Sequence, residues 1–102
     1  MKSIMQKERY DYLIGYDPDI DWDGAYLEEH HCFFGKPGRK NAEKYGLKVW
    51  LTLEHHKGGN GPHQNRDTDL WLKRQAQAAF ERAHGSREEF MRIFGRNYLE
   101  TD

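Results

Sequence analysis

The sequence predicts a small α+β protein in which two short strands precede two helices. Aromatic and β-branched residues concentrate in two short segments of the first half of the chain, whereas apolar residues recur at helical spacing in the second half. Five of the six histidines lie between His30 and His63, around the predicted strands and the entry to the first long helix. These observations predict a functional site between the two strands and the start of that helix.

Length and composition predict one domain. A chain of 102 residues is long enough for one hydrophobic core but not for two. With 36% apolar and 32% charged residues it has little core per residue, so a bound metal or partner would add stability. We divide it into an N-terminal extended segment and acidic loop (residues 1–25), a strand-and-helix core (26–83), and a C-terminal helix and tail (84–102).

Several classes of protein are disfavoured by the composition. No run of about 18 apolar residues is present to span a bilayer, and the polar start from Met1 to Lys7 lacks a signal-peptide core. Cys32 is the single cysteine and cannot form an internal disulfide, so we interpret it as a small buried side chain. We therefore expect a cytoplasmic protein without a membrane partner. The net charge of −1 neither indicates nor excludes nucleic acid.

The first half of the core is expected to contain both strands. Residues 26–34 are rich in aromatics and predict the first strand, which the basic turn 35–40 follows. A short helix is predicted over Asn41–Tyr45, with Gly46 in the usual C-terminal position. Residues 47–53 are β-like. Each of the two histidine pairs then lies at or near the end of a strand.

The second half is predicted to be helical. Apolar residues at helical spacing predict a helix over about 67–83, and Asn65 is equally suited to cap it or to support a site. The segment 86–89 fits a capping box before a second helix, whose apolar stripe consists of Phe90, Ile93 and Phe94. We expect that stripe to be core. A self-associating structural protein that uses it as an interface is a weaker alternative.

The paired histidines suggest that neighbouring residues have different roles, one in metal binding and the other in proton transfer. Glu29-His30-His31 and Glu54-His55-His56 are adjacent pairs, and imidazole is both a common metal ligand and a base near neutrality. Phosphodiester hydrolysis needs a base that takes a proton from water and a cation that offsets charge on the phosphate. Neighbouring side chains at a strand end diverge, so one of His30 and His31 can face a metal and the other the attacking water.

A set of motifs is distributed over most of the chain. They are Glu28-Glu29-His30-His31-Cys32-Phe33-Phe34-Gly35, Arg39-Lys40, Glu43-Lys44-Tyr45-Gly46-Leu47-Lys48-Val49-Trp50-Leu51, Glu54-His55-His56, His63-Gln64-Asn65 and Ser86-Arg87-Glu88-Glu89-Phe90-Met91-Arg92-Ile93-Phe94-Gly95-Arg96-Asn97-Tyr98-Leu99. Together these motifs resemble those of small prophage HNH proteins, which have a ββα-metal (His-Me finger) core, and the chain is similar to the phage recombination-enhancement, RecA-dependent nuclease group. The resemblance covers nearly all of the chain after its N-terminal residues.

The resemblance implies a metal-dependent DNA endonuclease or nickase encoded by a phage or prophage. His30 would be a metal ligand and His31 the general base. His56 and His63 would complete the metal site, although the glycine-rich insert separates them by more than the usual helical turn. One divalent ion is implied, Mg²⁺, Mn²⁺, Zn²⁺ or Ni²⁺. Three imidazoles would favour the transition metals over Mg²⁺, which prefers oxygen ligands.

The chain departs from the family pattern at the structural zinc knuckle. Relatives carry C-x-x-C near the start and C-x-x-H before the second histidine, and this chain has Asp11, Ile14, Thr52 and His55 at those positions. Only His55 is retained, so we predict no complete structural zinc site and treat His55, with Asn65, as further support of the active site.

The middle asparagine of the HNH pattern is a second departure. By spacing it would fall at Gly46 or Leu47, where it is absent, and Asn41 and Asn65 are the alternatives. The two departures motivate a runner-up function, a non-catalytic DNA-binding or recombination-accessory protein that retains the HNH fold.

Basic residues surround the proposed site in sequence. They predict a phosphate-binding groove for DNA, with an ordinary solvated surface as the equally weighted alternative. A recombinase is a further expected partner, and the oligomeric state is left open. The residues expected to bind DNA are Lys36, Arg39, Lys40, Lys44, Lys48 and Lys57.

Overall fold

The computed structural model describes residues 1–99, and the end of the predicted tail, residues 100–102, lies outside the described residues. These residues form a mixed α/β structure with a two-stranded antiparallel sheet and four helices. This architecture is consistent with the predicted α+β class. The elements are β1 (Glu28–His31), α1 (Gly38–Tyr45), β2 (Lys48–Leu51), α2 (Leu53–Lys57), α3 (Arg66–Ala83) and α4 (Arg87–Phe94).

The pairing of β1 with β2 sends the first two histidines to opposite faces of the sheet. His30 is opposite Val49 and His31 is opposite Lys48 in the antiparallel register. Cross-strand partners share a face and successive residues alternate. His30 therefore shares its face with Val49, which is 1% exposed, whereas His31 lies with Lys48 on the other face.

The strands are shorter than predicted, and one helix was not foreseen. The second predicted strand, residues 47–53, ends at Leu51 because Thr52 is the N-terminal cap of α2: its side chain accepts a hydrogen bond from the backbone N–H of His55. The second histidine pair lies on this short helix rather than at a strand end, which corrects the prediction.

Helix α1 connects the strands and confirms the predicted short helix. It begins three residues before the predicted start and ends at Tyr45, followed by the C-terminal cap Gly46, whose φ is 72°. A Cβ atom at this glycine would clash with the backbone oxygen of Lys2. Both the left-handed conformation and the close approach of the N-terminal segment therefore require glycine there.

The two later helices form the core with the sheet. Helix α3 spans Arg66–Ala83 and α4 begins after the cap Ser86, so both predicted helices are confirmed. The predicted stripe on α4 is core, because Phe90 is fully buried and Ile93 and Phe94 pack against the same cluster. The buried cluster consists of Cys32, Phe33, Ala42, Leu47, Val49, Leu51, Leu72, Ala76, Phe80, Phe90 and Tyr98. In residues 1–99, no helix is both long and apolar enough to cross a lipid bilayer.

Candidate functional site

Three histidines from separate elements converge on one point. His30 comes from β1, His56 from α2 and His63 from the loop before α3, and each places one ligand-type nitrogen within 4.8 Å of the other two. The Nε2 atoms of His56 and His63 are 3.2 Å apart. The three positions predicted as metal ligands are thus brought together, and as a group they can hold a metal ion.

The environment of His30 fits a cation. Its ring is buried, and Nε2 has no hydrogen-bond partner in the described part of the chain. A buried polar atom left unpaired costs about 1–3 kcal/mol, which a coordinate bond would offset. Burial, with the nearby His56 and His63, lowers the pKa of His30 to about 3. The ring is therefore neutral at pH 7, the form that coordinates metals.

A carboxylate orients the second ring of this group. Nδ1 of His56 donates a hydrogen bond to Oε1 of Glu28 at 2.8 Å, and the hydroxyl of Tyr26 donates to Oε2 at 2.6 Å. The hydrogen bonds from Tyr26 and His56 lower the pKa of Glu28. Because Nδ1 carries the proton, Nε2 of His56 keeps its lone pair for a metal, as in carboxylate–histidine–metal arrangements.

Glu28 was missed in the sequence, although one signal was present. It lies two residues before His30 and therefore on the same face of β1. Nothing local indicated that α2 would bring His56 to it.

Replacing Glu28 with alanine is expected to weaken metal binding by about 10- to 100-fold, because His56 loses the acceptor that holds its tautomer and ring plane. Calorimetric titration with Zn²⁺ or Ni²⁺ measures the change. Glu54→Ala is the matched control, since Glu54 is an exposed carboxylate on α2, next to the second histidine pair. Equal affinities for the two variants would contradict the role given to Glu28.

His31 occupies a different environment on the other face of β1. Its Nε2 is 2.8 Å from Oε1 of Glu43, on α1, and its side chain is 10% exposed. Nδ1 makes no hydrogen bond with any residue that the structure describes. His31 and Glu43 line an open pocket of about 500 Å³. This ring therefore has one nitrogen anchored and one nitrogen free.

Glu43 is held by cations as well as by His31. Its pKa is lowered by hydrogen bonds from the α-amino group of Met1, from His31 and from Lys48. Lys48 Nζ lies 3.0 Å from both carboxylate oxygens and 3.4 Å from Glu29 Oε2. Glu29, His31 and Glu43 also place ligand-type atoms within 4.8 Å of one another, but the Lys48 ammonium already bonds both carboxylates.

The residues predicted to bind DNA fall into two groups. Lys36, Arg39 and Lys40 line the pocket that contains His31. The other three have partners within the protein. Lys44 Nζ lies 5.4 Å from the Tyr45 ring centroid, and Lys57 Nζ lies 3.8 Å from Oε1 of Glu28 while its side chain is 63% exposed. Lys48 is 7% exposed and paired with carboxylates, so we reassign it from DNA contact to the support of Glu43.

His55 joins a hydrogen-bonded centre outside the three-histidine group. Asp11 is fully buried, and its Oδ2 accepts from Nδ1 of His55 and from the backbone N–H of Thr52, each at 2.8 Å. Its Oδ1 accepts from the backbone N–H groups of Leu13 and Ile14. The four positions that the resemblance assigns to a zinc knuckle therefore meet in space, where the Asp11 carboxylate joins the N-terminal segment to α2.

Neither candidate for the middle asparagine contacts His31. Asn65 accepts a hydrogen bond from the backbone N–H of Thr68 and caps α3, and Asn41 donates to the carbonyl of Ile93 at 3.5 Å. The partner of His31 is Glu43, twelve residues further along the chain. Sequence reasoning missed it, because no periodicity or motif links a residue of α1 to the end of β1.

Comparisons with protein-family models, with curated proteins and with solved structures return no match for this chain. The two principal features of the candidate site are the three convergent imidazoles and the His31–Glu43 pair.

Proposed function

We propose that this chain is a metal-dependent DNA endonuclease or nickase with a ββα-metal (HNH) core formed by β1, β2 and α3. The observation that carries the proposal is the convergence of His30, His56 and His63, with a buried and unpaired nitrogen on His30. An adjacent histidine with one free nitrogen supplies a base. The resemblance to prophage HNH proteins supports a role in phage recombination or DNA processing in the bacterial cytoplasm.

In the proposed hydrolysis, the three-histidine group binds the metal ion and His31 accepts the proton. His30, His56 and His63 would hold a divalent ion, which would supply positive charge for the phosphate and the departing oxygen. Nδ1 of His31 accepts a proton from water as the water oxygen bonds to phosphorus and the phosphorus bond to the leaving oxygen breaks. The Glu43 carboxylate stabilises the resulting imidazolium, as the carboxylate partner of other catalytic histidines does.

The pocket beside His31 suits the DNA backbone. Lys36, Arg39 and Lys40 line it, and each cation that contacts a phosphate releases counterions from DNA, so that binding weakens as salt increases. The donor set favours Zn²⁺, Ni²⁺ or Mn²⁺ over Mg²⁺, because imidazole is a borderline-soft ligand.

Incubation with supercoiled plasmid and a series of divalent ions tests the proposal. We expect nicking or linearisation only with a bound ion, and we expect His56→Ala to lose both metal binding and cleavage. His84→Ala is the matched control, because Nε2 of His84 bonds the carbonyl of Tyr45 and takes no part in the three-histidine group.

The alternative function gives a different result. A non-catalytic DNA-binding or recombination-accessory protein would show salt-dependent DNA binding with no cleavage under any ion. That result would overturn the enzymatic proposal even if the three histidines bind metal.

A further inference from the structure

We propose that Glu43 is a positioning residue that fixes the tautomer and ring orientation of His31. This inference rests on the proposed function, because it concerns the base of that reaction. Nε2 of His31 lies 2.8 Å from Oε1 of Glu43. An ionised carboxylate can only accept hydrogen bonds, so Nε2 must carry the proton and Nδ1 the lone pair. The pairing therefore selects which nitrogen is left to act as a base.

Three secondary-structure elements hold this arrangement. His31 is the last residue of β1, Glu43 lies on α1, and Lys48 begins β2 directly opposite His31 in the strand register. Lys48 Nζ contacts both oxygens of Glu43 at 3.0 Å, and the Lys48 side chain is only 9% exposed. The Glu43 side chain is 43% exposed, and its contacts with Lys48 and His31 limit the rotation of its carboxylate, which in turn orients the ring of His31.

The free nitrogen belongs to a residue that lines a cationic pocket. His31 shares the pocket with Lys36, Arg39 and Lys40, and these cations suit a phosphodiester. When Nδ1 accepts the proton of water, the ring becomes an imidazolium whose charge the Glu43 carboxylate offsets. Glu43 itself touches neither water nor phosphate in this scheme, so its effect passes through His31.

A purely structural role for Glu43 is the competing explanation. The Glu43–Lys48 pair joins α1 to β2, and its loss would loosen the packing of α1 against β2. Glu29 provides the matched control, because its carboxylate also contacts Lys48, at 3.4 Å, but within residues 1–99 the hydrogen-bonded carboxylate partner of His31 is Glu43 and not Glu29. A substitution at Glu29 disturbs the same lysine and leaves the His31 partner in place.

The test compares Glu43→Gln, Glu43→Asp and Glu29→Gln with the unmodified protein. Imidazole ¹⁵N shifts, assigned with His31→Ala, report the tautomer of His31 without any need for turnover. We expect the Nε2–H form in the unmodified protein and in Glu29→Gln, and a mixture of tautomers in Glu43→Gln. In cleavage assays we expect kcat of Glu43→Gln to fall on the order of 10- to 100-fold, less than removal of the base itself. KM for DNA and metal affinity should stay unchanged, with partial recovery of kcat in Glu43→Asp.

The two measurements separate this inference from the proposed function. An unchanged His31 tautomer in Glu43→Gln, or an unchanged kcat in an active enzyme, would overturn the positioning role. A tautomer change in a protein that cleaves no DNA would retain the positioning role and overturn the nuclease proposal. Equal kinetic losses in Glu43→Gln and Glu29→Gln would assign the effect to Lys48 and overturn the role of Glu43.

Discussion

The His31→Ala variant is expected to cleave DNA about 10²–10⁴-fold more slowly than the unmodified protein while binding metal with the same affinity. The separation follows from the sheet register, because His30 and His31 lie on opposite faces of β1. Truncation of His31 removes the proposed base and leaves the three-histidine group intact. Single-turnover cleavage at saturating metal, together with calorimetric titration of the same metal, measures both quantities.

The comparison with His56→Ala makes this result specific. His56→Ala should lose metal affinity and cleavage together, since His56 belongs to the convergent group, whereas His31→Ala should lose cleavage alone. Cleavage by His31→Ala at the rate of the unmodified protein would contradict its assignment as the base. A parallel loss of metal affinity in His31→Ala would show that the two faces of β1 are not independent.

The Asp11→Ala variant is expected to lose roughly 3–5 kcal/mol of unfolding free energy. Its carboxylate accepts hydrogen bonds from Thr52, His55, Leu13 and Ile14, and each buried donor left unpaired costs about 1–3 kcal/mol, less where water enters. A domain of this size is stabilised by only about 5–15 kcal/mol in total. Urea denaturation measures the loss, and the exposed Asp19 provides the control Asp19→Ala, which should change stability by less than about 0.5 kcal/mol.

The same carboxylate gives the stability a defined pH dependence. Burial raises the pKa of Asp11, but the hydrogen bonds from Thr52, His55 and Ile14 outweigh it and hold the pKa below the ordinary value of 3.8. A lowered pKa in the folded state means that the stabilisation is complete above the unfolded pKa and is lost as the pH falls through the folded one. The stability difference between the unmodified protein and Asp11→Ala should therefore shrink below about pH 4. A constant difference down to pH 2 would contradict the contribution of the ionised carboxylate.

Three of the four helices in residues 1–99 could be predicted from local sequence patterns. Helices α1, α3 and α4 were predicted from apolar spacing and from Gly46 and Ser86, because capping and amphipathic burial involve residues within a few positions of one another. The short helix α2 was missed. Its five residues are too few for a periodic pattern to show, and its start depends on the Thr52 cap.

The candidate site could be predicted from the sequence only in part. The histidine spacing and the family resemblance singled out His30, His56 and His63, and the structure brings these three together. The residues that orient the rings, Glu28 and Glu43, were not identified. Each lies far along the chain from its histidine, 28 residues from His56 and 12 from His31. Carboxylates are also common on exposed helices and strands, so neither stood out.

The sequence by itself indicated the histidines of the candidate site and the approximate positions of helices α1, α3 and α4, since residue type, capping and apolar spacing are properties of side chains and their near neighbours in the chain. Tertiary structure alone decided how those residues pair: His56 with Glu28, His31 with Glu43, and Asp11 with His55. It also made Lys48 a buried partner of carboxylates instead of a surface cation. The physical reason is that hydrogen bonds and ion pairs act over about 3 Å, so they depend on packing that brings distant segments together.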